Sequence, residues 1–272
     1  MKIAELHNMA KQVRKDILTM ITEAGSGHPG GSLSSTDLLV ALYFAKLKHD
    51  PKNPDWEDRD RVVLSKGHAC PLLYAVLSRA GYVPSEKLCT LRKLGSPLQG
   101  HPDRLKTTGV DMSTGSLGQG LSVGVGMALG GKLDRQDWRV YVLMGDGEMQ
   151  SGAIWEAAMS AGHYKLDNLC GIVDSNNFQI DGAVEEIMGV KPLADKWRAF
   201  RWHVIEIDGH DMQQILNAYD EAAKVKDAPT VIIANTVKGK GVSFMENVCE
   251  WHGKAPSKEQ CAQAIEELDR LK

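Results

Sequence analysis

The sequence predicts an α/β protein, a parallel sheet flanked by helices on both faces. Three observations carry that reading. From about residue 138 the pattern alternates strand, helix, strand, helix. The strand segments are apolar throughout, as strands buried between two helical layers must be. Gly145-Asp146-Gly147 and Asn176-Asn177 each follow such a strand, at the edge where open parallel sheets hold ligands.

Each element follows in order. Ile3, Leu6, Met9, Ala10, Val13, Ile17, Met20 and Ile21 recur at helical spacing over residues 2–23. Gly25-Ser-Gly27-His-Pro-Gly-Gly31 stops that helix, and Ser35-Thr-Asp37 opens a second one through about Lys46. The polar, proline-containing stretch from Asp50 to Arg61 is a loop. Val62-Val-Leu64 is a short buried strand, and a helix covers Pro71–Arg79. Leu94 to Ser113 is rich in Gly, Pro and polar residues, a long loop of the kind that often carries function. Leu117–Leu129 is a small-residue helix in which Gly120, Gly124 and Gly126 suit close packing. Strands at 138–144, 169–173, 203–207 and 229–235 then alternate with helices at 153–163, 191–200 and 211–224. A last helix runs from about Ser257 to the end. No internal repeat, low-complexity tract or linker divides the chain, so residues 1–272 are expected to form one domain.

Composition narrows the function classes. The 272 residues are 43% hydrophobic and 25% charged, with a net charge of -3. That balance argues against nucleic acid or an anionic membrane as the main partner. No apolar stretch reaches the length of a membrane span, and the mixed-charge start Met1-Lys-Ile-Ala-Glu-Leu-His7 has no signal-type core. Cys70, Cys89, Cys170, Cys249 and Cys261 form no CxxC and no metal spacing. Such a scattered, odd set fits free thiols in a reducing cytoplasm.

The strand ends carry the chemistry. Gly-Asp-Gly alone is compatible with a plain strand-to-helix turn. Its joint placement with the Asn pair favours a hard cation, because Mg²⁺ and Ca²⁺ take carboxylate, amide and carbonyl oxygens. Gly147 lets backbone approach a phosphate without a Cβ in the way. A helix starting after Gly147 would aim free N–H groups at the same place. The sequence therefore proposes a metal-bridged diphosphate site.

Histidines are the second signal. His28, His68, His101, His163 and His210 all follow glycine. His163 falls within a helix and His210 in a helix-entry loop, so both are expected to be structural. His28, His68 and His101 lie in three Gly/Pro/Ser-rich loops, and His252 in another. A cluster of neutral imidazoles suits proton shuttling and hydroxyl binding, since their ordinary pKa lies near neutrality. Ser113-Thr-Gly-Ser-Leu-Gly-Gln-Gly120 is neither a Walker loop nor G-x-G-x-x-G, yet Gly115 and Leu117 at its mouth are placed to line a ligand.

Together the motifs resemble the N-terminal, diphosphate-binding part of transketolase. They are Ser26-Gly-His-Pro-Gly-Gly31, Ser65-Lys-Gly-His-Ala69, Gly100-His-Pro102, Thr114-Gly-Ser-Leu-Gly-Gln-Gly120, Gly145-Asp-Gly-Glu148, Glu156-Ala-Ala…Ala161-Gly-His163, Asn176…Ile180-Asp-Gly182 and Gly239-Lys-Gly241, in the family order over nearly the whole chain. The resemblance implies a thiamine diphosphate-binding fold. It implies that Asp146, Asn176 and the Phe178 carbonyl ligand Mg²⁺ (or Ca²⁺). Gly147, His68 and His252 would hold the diphosphate, Gly115 and Leu117 the aminopyrimidine, and Ile180 the thiazolium. His28, His101 and His252 would face the sugar and move its protons.

It further implies ketol transfer from a ketose phosphate to an aldose phosphate. The family's pyrimidine-binding domain carries the glutamate that activates the cofactor, and the family pattern here starts at Met1 and stops at Lys272. The chain is thus expected to be the N-terminal subunit of a split transketolase. Its partner would be a C-terminal subunit carrying the pyrimidine-binding domain, in an A₂B₂ assembly. The helix 117–129 and the helix after Gly-Asp-Gly are candidate self-contacts. The alternatives are a deoxyxylulose-phosphate synthase, part of a 2-oxo-acid dehydrogenase, a variant for an unusual sugar phosphate and an inactive binding half. The histidines favour a polyhydroxylated donor over pyruvate. Two departures stand out. Ser151 replaces a family Glu that couples the two cofactor sites, and Ser116 replaces a common proline.

Overall fold

Apolar residues at helical spacing build α1 (Ile3–Ala24), which buries Leu6, Ala10, Val13, Ile17, Leu18 and Ile21. The Glu5 carboxylate closes its first turn by accepting the Lys2 backbone N–H at 2.7 Å. Gly25 ends it at φ 61°, a left-handed conformation that glycine takes at no steric cost. The structure, a computed structural model, describes residues 1–270.

The glycine-rich segment after α1 does more than stop it. α2 (Pro29–Ser34) starts inside that segment, ahead of the predicted Ser35, because Pro29 brings a helix-ready φ to the first position. α3 (Thr36–Ala41) follows and closes in one π-turn over Leu42–Lys46. Gly30 lets α2 dock, since a Cβ there would lie 2.9 Å from the Trp251 carbonyl.

Five strands follow: β1 (Arg61–Leu64), β2 (Val140–Gly145), β3 (Leu169–Ser175), β4 (His203–Asp208) and β5 (Thr230–Asn235). They pair in the order β1-β2-β3-β5-β4, every pair parallel. Alternate strand residues face two separate cores. Leu64, Tyr141, Leu143, Ile172 and Ile232 pack with residues of α1, α3, α4 (Cys70–Ala80), α9 (Met212–Lys224) and α10 (Lys258–Arg270). Val63, Val142, Met144, Leu169 and Val231 pack on the other face with residues of α5 (Gln119–Leu133), α6 (Gly152–His163) and α8 (Leu193–Ala199). Helices on both faces explain why β1, β2, β3 and β5 are almost wholly buried, while the edge strand β4 exposes Glu206 and Asp208.

Differences from expectation are local. The segment predicted as helix 191–200 shortens to α8 and is preceded by a short α7 (Val184–Met188). Residues 94–113 hold no regular element, as expected. The final helix is described to Arg270, and Leu271 and Lys272 lie outside the described residues. No helix among the described residues is long and apolar enough to cross a membrane.

α5 tests the glycine reading directly. Gly120 packs on Ser65, and a Cβ on Gly124 would lie 2.5 Å from Val142 Cγ2, so both are close-packing positions. Gly126 is not: nothing lies within 4 Å of its Cβ position. The same substitution should therefore act with opposite sign at the two sites. Gly124→Ala overpacks a buried strand and should cost about 1–3 kcal/mol. Gly126→Ala removes unfolded-chain freedom at an open helical site and should add about 0.4–1 kcal/mol. Urea-unfolding midpoints of the two variants check both signs.

Candidate active site

Four neighbouring strands end at one edge of the sheet, and the residues at or past those ends meet there. Lys66 and His68 follow β1, Asp146 follows β2, Asp174 and Asn176 lie at the end of β3, and Lys238 follows β5. Loops carrying His28, Gly115, Leu117, Ile180 and His252 complete a cavity of about 300 Å³.

Asp174 organises this edge. Its fully buried carboxylate accepts from Lys66 Nζ at 2.5 Å, Ser34 Oγ at 2.6 Å, Asn176 Nδ2 at 2.9 Å and the Thr236 hydroxyl. Lys66 Nζ also donates to the Gly31 carbonyl at 2.8 Å. Burial alone would raise the Asp174 pKa, but the Lys66 ammonium and the hydroxyl donors hold it well below the ordinary carboxylate range.

Asp146 has a different environment. Its two oxygens accept from Gly147 N at 2.8 Å and Asn177 N at 2.5 Å. Asn177 presents that N–H from a left-handed backbone at φ 63°. Among the described residues no cation lies within ion-pair distance of Asp146. Burial first, and then the nearby Asp174 charge, push its pKa up to about 6. The Asn176 side-chain amide oxygen, Oδ1, accepts the Phe178 N–H at 3.1 Å, and Asn176 and Phe178 both line the cavity beside Asp146.

Three imidazoles face these acids' neighbours. The His28, His68 and His252 rings stand 5.2–5.4 Å apart, centroid to centroid. Burial keeps all three uncharged, and nearby cations add to it: His28 is lowered to about 4 and His252 to about 3. Lys238 Nζ lies 3.0 Å from His252 Nδ1 and donates weakly to the Phe178 and Gln179 carbonyls at 3.4 Å. Burial lowers its own pKa to about 8.

Several expectations need correction. The imidazole cluster is His28, His68 and His252, not His28, His68 and His101. His101 stands outside the cavity lining, its ring against Gly115 at the rim. No α-helix starts directly after Gly147. A 3₁₀ turn over Gly147–Gln150 intervenes, because Asp146 caps Gly147 and Ser151 is extended. His163 is an exposed helix-end residue, as expected. His210 does enter a helix, and it also bonds Asp37 through Nδ1 at 2.8 Å while Nε2 accepts the Val237 N–H.

The sequence reading missed Lys66, Asp174, Lys238 and Glu148 as site residues. Buried Glu148 accepts from Gly118 N at 2.8 Å, Gly145 N at 3.1 Å and the Ser65 hydroxyl. It thereby ties the Gly115–Leu117 loop to the Asp146 turn. A charge set at the end of an apolar parallel strand was the available signal, since apolar surroundings oblige it to find a partner.

The arrangement fits a metal-bound diphosphate. Asp146 is a buried carboxylate without a cation, and the donors around it are carboxylate, amide and carbonyl oxygens, the hard set that Mg²⁺ and Ca²⁺ take. Among the described residues no three His, Cys, Asp or Glu side chains are arranged to hold a metal ion by themselves, the imidazole cluster included. Lys238 and the imidazoles offer positive charge and N–H donors for an anion.

Comparison with known proteins supports the diphosphate part of that reading. The family described as transketolase, thiamine diphosphate binding domain, matches residues 6–269. The 6-deoxy-6-sulfo-D-fructose transketolase subunit SqwG of Clostridium sp. (strain MSTE9) is 48% identical, over 98% of this chain and 97% of that relative. One of the subunits of the apulose-4-phosphate transketolase of Phocaeicola vulgatus is 42% identical, over 98% of this chain and 95% of its own length. The crystal structure of transketolase from Campylobacter jejuni superposes with a TM-score of 0.94 at 39% identity, and 99% of this chain covers 43% of that longer one.

The uncharged imidazoles set a pH dependence. His252 charges at its ordinary 6.5 in the unfolded chain but only near 3 in the fold. Between those values the unfolded state binds more protons, so this residue's share of stability falls as pH drops. His252→Gln should therefore lose less stability than the wild-type chain between about pH 7 and about pH 5. Urea midpoints at both pH values test it, and equal losses contradict the buried-neutral assignment.

Proposed function

The chain belongs to the family of transketolase thiamine diphosphate-binding domains, and on that premise we propose that it is the N-terminal subunit of a two-chain transketolase. Its reaction moves a two-carbon ketol unit from a ketose phosphate, or a similar anionic ketose, to an aldose. The observation that carries the reading is the pairing of cation-free Asp146 with three neutral imidazoles in one cavity. An acid that needs a metal stands beside groups that handle sugar hydroxyls.

In this reading Asp146, the Asn176 amide oxygen and the Phe178 carbonyl hold Mg²⁺ or Ca²⁺. Gly147, His68 and His252 hold the diphosphate, with Lys238 adding charge. Gly115 and Leu117 contact the aminopyrimidine, and Ile180 the thiazolium. Thiamine diphosphate, when bound, supplies the electron sink for breaking and making the carbon–carbon bond. The chain's own contribution is to orient the sugar hydroxyls and relay their protons. His28 and His252 do so from the cavity wall, and His101 from its rim. The domain spans residues 1–272.

The open side of the cavity supports a partner. Leu117 is 43% and Ile180 66% exposed, apolar surface that a second polypeptide would cover. The partner would be a C-terminal subunit carrying the pyrimidine-binding domain, as the names of the two split relatives also suggest. Exposed Leu133 and Met159 on α5 and α6 are consistent with self-association, giving A₂B₂. Five free cysteines agree with a cytoplasmic setting.

The test is co-expression with the candidate partner, followed by ketol transfer assays on a panel of ketose phosphates. Activity is expected from the pair and from neither chain alone. Calorimetry of the pair with thiamine diphosphate should show metal-dependent binding that Asp146→Ala abolishes. His28→Ala should retain binding and lose roughly 10²–10⁴-fold in turnover. Cofactor affinity in Asp146→Ala with full metal dependence would reject the ligand assignment, and pyruvate turnover without ketose activity would reject the substrate class.

A further inference from the structure

One guanidinium connects two of the histidine loops. Arg92 adopts a left-handed backbone at φ 60°, uncommon for a residue with a Cβ and tolerated where surrounding structure demands it. Its N–H donates to the Leu98 carbonyl at 2.9 Å and closes the turn between them. From there Nη1 donates to Ser26 Oγ at 2.6 Å, and Nη2 lies 3.4 Å from His28 Nδ1 and 3.5 Å from the Gly100 carbonyl. Gly100 leaves the room, since a Cβ there would lie 3.2 Å from Arg92 Nε. The guanidinium therefore joins the Ser26–His28 segment to the Gly100–His101 segment. All three of these partners are uncharged groups, and Nε is buried without a partner.

A guanidinium donates only. The His28 Nδ1 that faces it must present a lone pair, which leaves the ring proton on Nε2. We infer that Arg92 is a positioning residue that fixes His28 as the neutral, Nε2-protonated tautomer, so that His28 enters the cavity as a hydrogen-bond donor to a substrate oxygen rather than as a proton acceptor. Only the identity of that oxygen rests on the ketol-transfer reading.

The surroundings agree with a ring held uncharged. His28 faces Arg92 on one side, the His68 and His252 rings at 5.2 and 5.4 Å on others, and the fields of His101 and Lys238. None of these groups is acidic. Burial first, and then Arg92, lower its pKa to about 4.

Long-range ¹H–¹⁵N NMR of the histidine-labelled full chain tests this without turnover, with the His28 signals assigned by their loss in His28→Gln. The wild-type chain at about pH 7 should show His28 as the Nε2–H tautomer, uncharged. In Arg92→Leu the tautomers should mix and the titration midpoint should rise from about 4 towards 6.5. Arg92→Lys, which keeps the charge but not the fork, should lie between and serves if the leucine variant does not fold. A wild-type Nδ1–H tautomer, or an unchanged tautomer and midpoint in the Arg92 variants, would overturn the inference. In the co-expressed pair the acid limb of the kcat/KM profile should move up with the midpoint while thiamine diphosphate affinity stays. A merely structural Arg92 would lower kcat without moving that limb. Absence of ketol transfer in the wild-type pair would sink the functional reading and leave the tautomer result standing.

Discussion

The sheet edge depends on one buried ion pair, Lys66–Asp174. Its two members come from the ends of β1 and β3, and the groups they bond come from α2, from the loop after β3 and from the segment after β5. Desolvating two charges is costly, so such a pair is weak evidence of net stability. Its effect is geometric. A carboxylate whose oxygens accept four donors from separate elements leaves one arrangement of those elements, and Asn176 is among the four. The neighbouring Asp146 inherits its position from that frame, and also its discomfort, because the Asp174 charge is one of the causes that keep Asp146 from ionising easily.

The frame explains what was legible in the sequence. The inner strands, apolar on both faces, and the helices between them follow from one-dimensional pattern, since burial on both faces leaves no polar alternation to misread. Asp146 and Asn176 were legible as strand-end residues, and the structure places them on neighbouring strands. The start of α2 was not, because Pro29, Gly30 and Gly31 signal a break as strongly as a helix start. Pro29 opens the helix, and the missing Cβ of Gly30 lets it dock against the Trp251 carbonyl, a contact visible only in the fold. His101 and His252 were equally plausible as loop histidines. Which of them joins the cluster depends on how segments far apart in the chain pack, and residue type carries no trace of that. Lys66 lies inside the Ser65–Ala69 motif and Lys238 just before Gly239-Lys-Gly241, yet neither shows a role in the sequence, since a lysine's burial becomes visible only when its partners are placed.

The cavity combines cations and uncharged imidazoles at close quarters. Lys66, Lys238 and Arg92 each disfavour a charged histidine nearby, and burial acts in the same direction. Neutral imidazole keeps one donor and one acceptor, the pair of functions that a hydroxylated substrate can use. The lysines supply the positive charge that the imidazoles do not. Ser151, the departure from the family glutamate, lies against Gly118, which has a left-handed φ of 87° and where an added Cβ would collide with Ser151 Oγ. The acid that does act in this region is Glu148, and it spends both its oxygens on backbone N–H groups and the Ser65 hydroxyl.

The open side of the cavity has a thermodynamic consequence. A ligand seated among Gly115, Leu117 and Ile180 and covered by a second chain touches both polypeptides at once. Its occupancy and their association are then linked quantities, and each raises the affinity of the other by the same factor. The cofactor of such an enzyme acts as part of its adhesive, so its supply governs how much of the enzyme is assembled as well as how much is loaded.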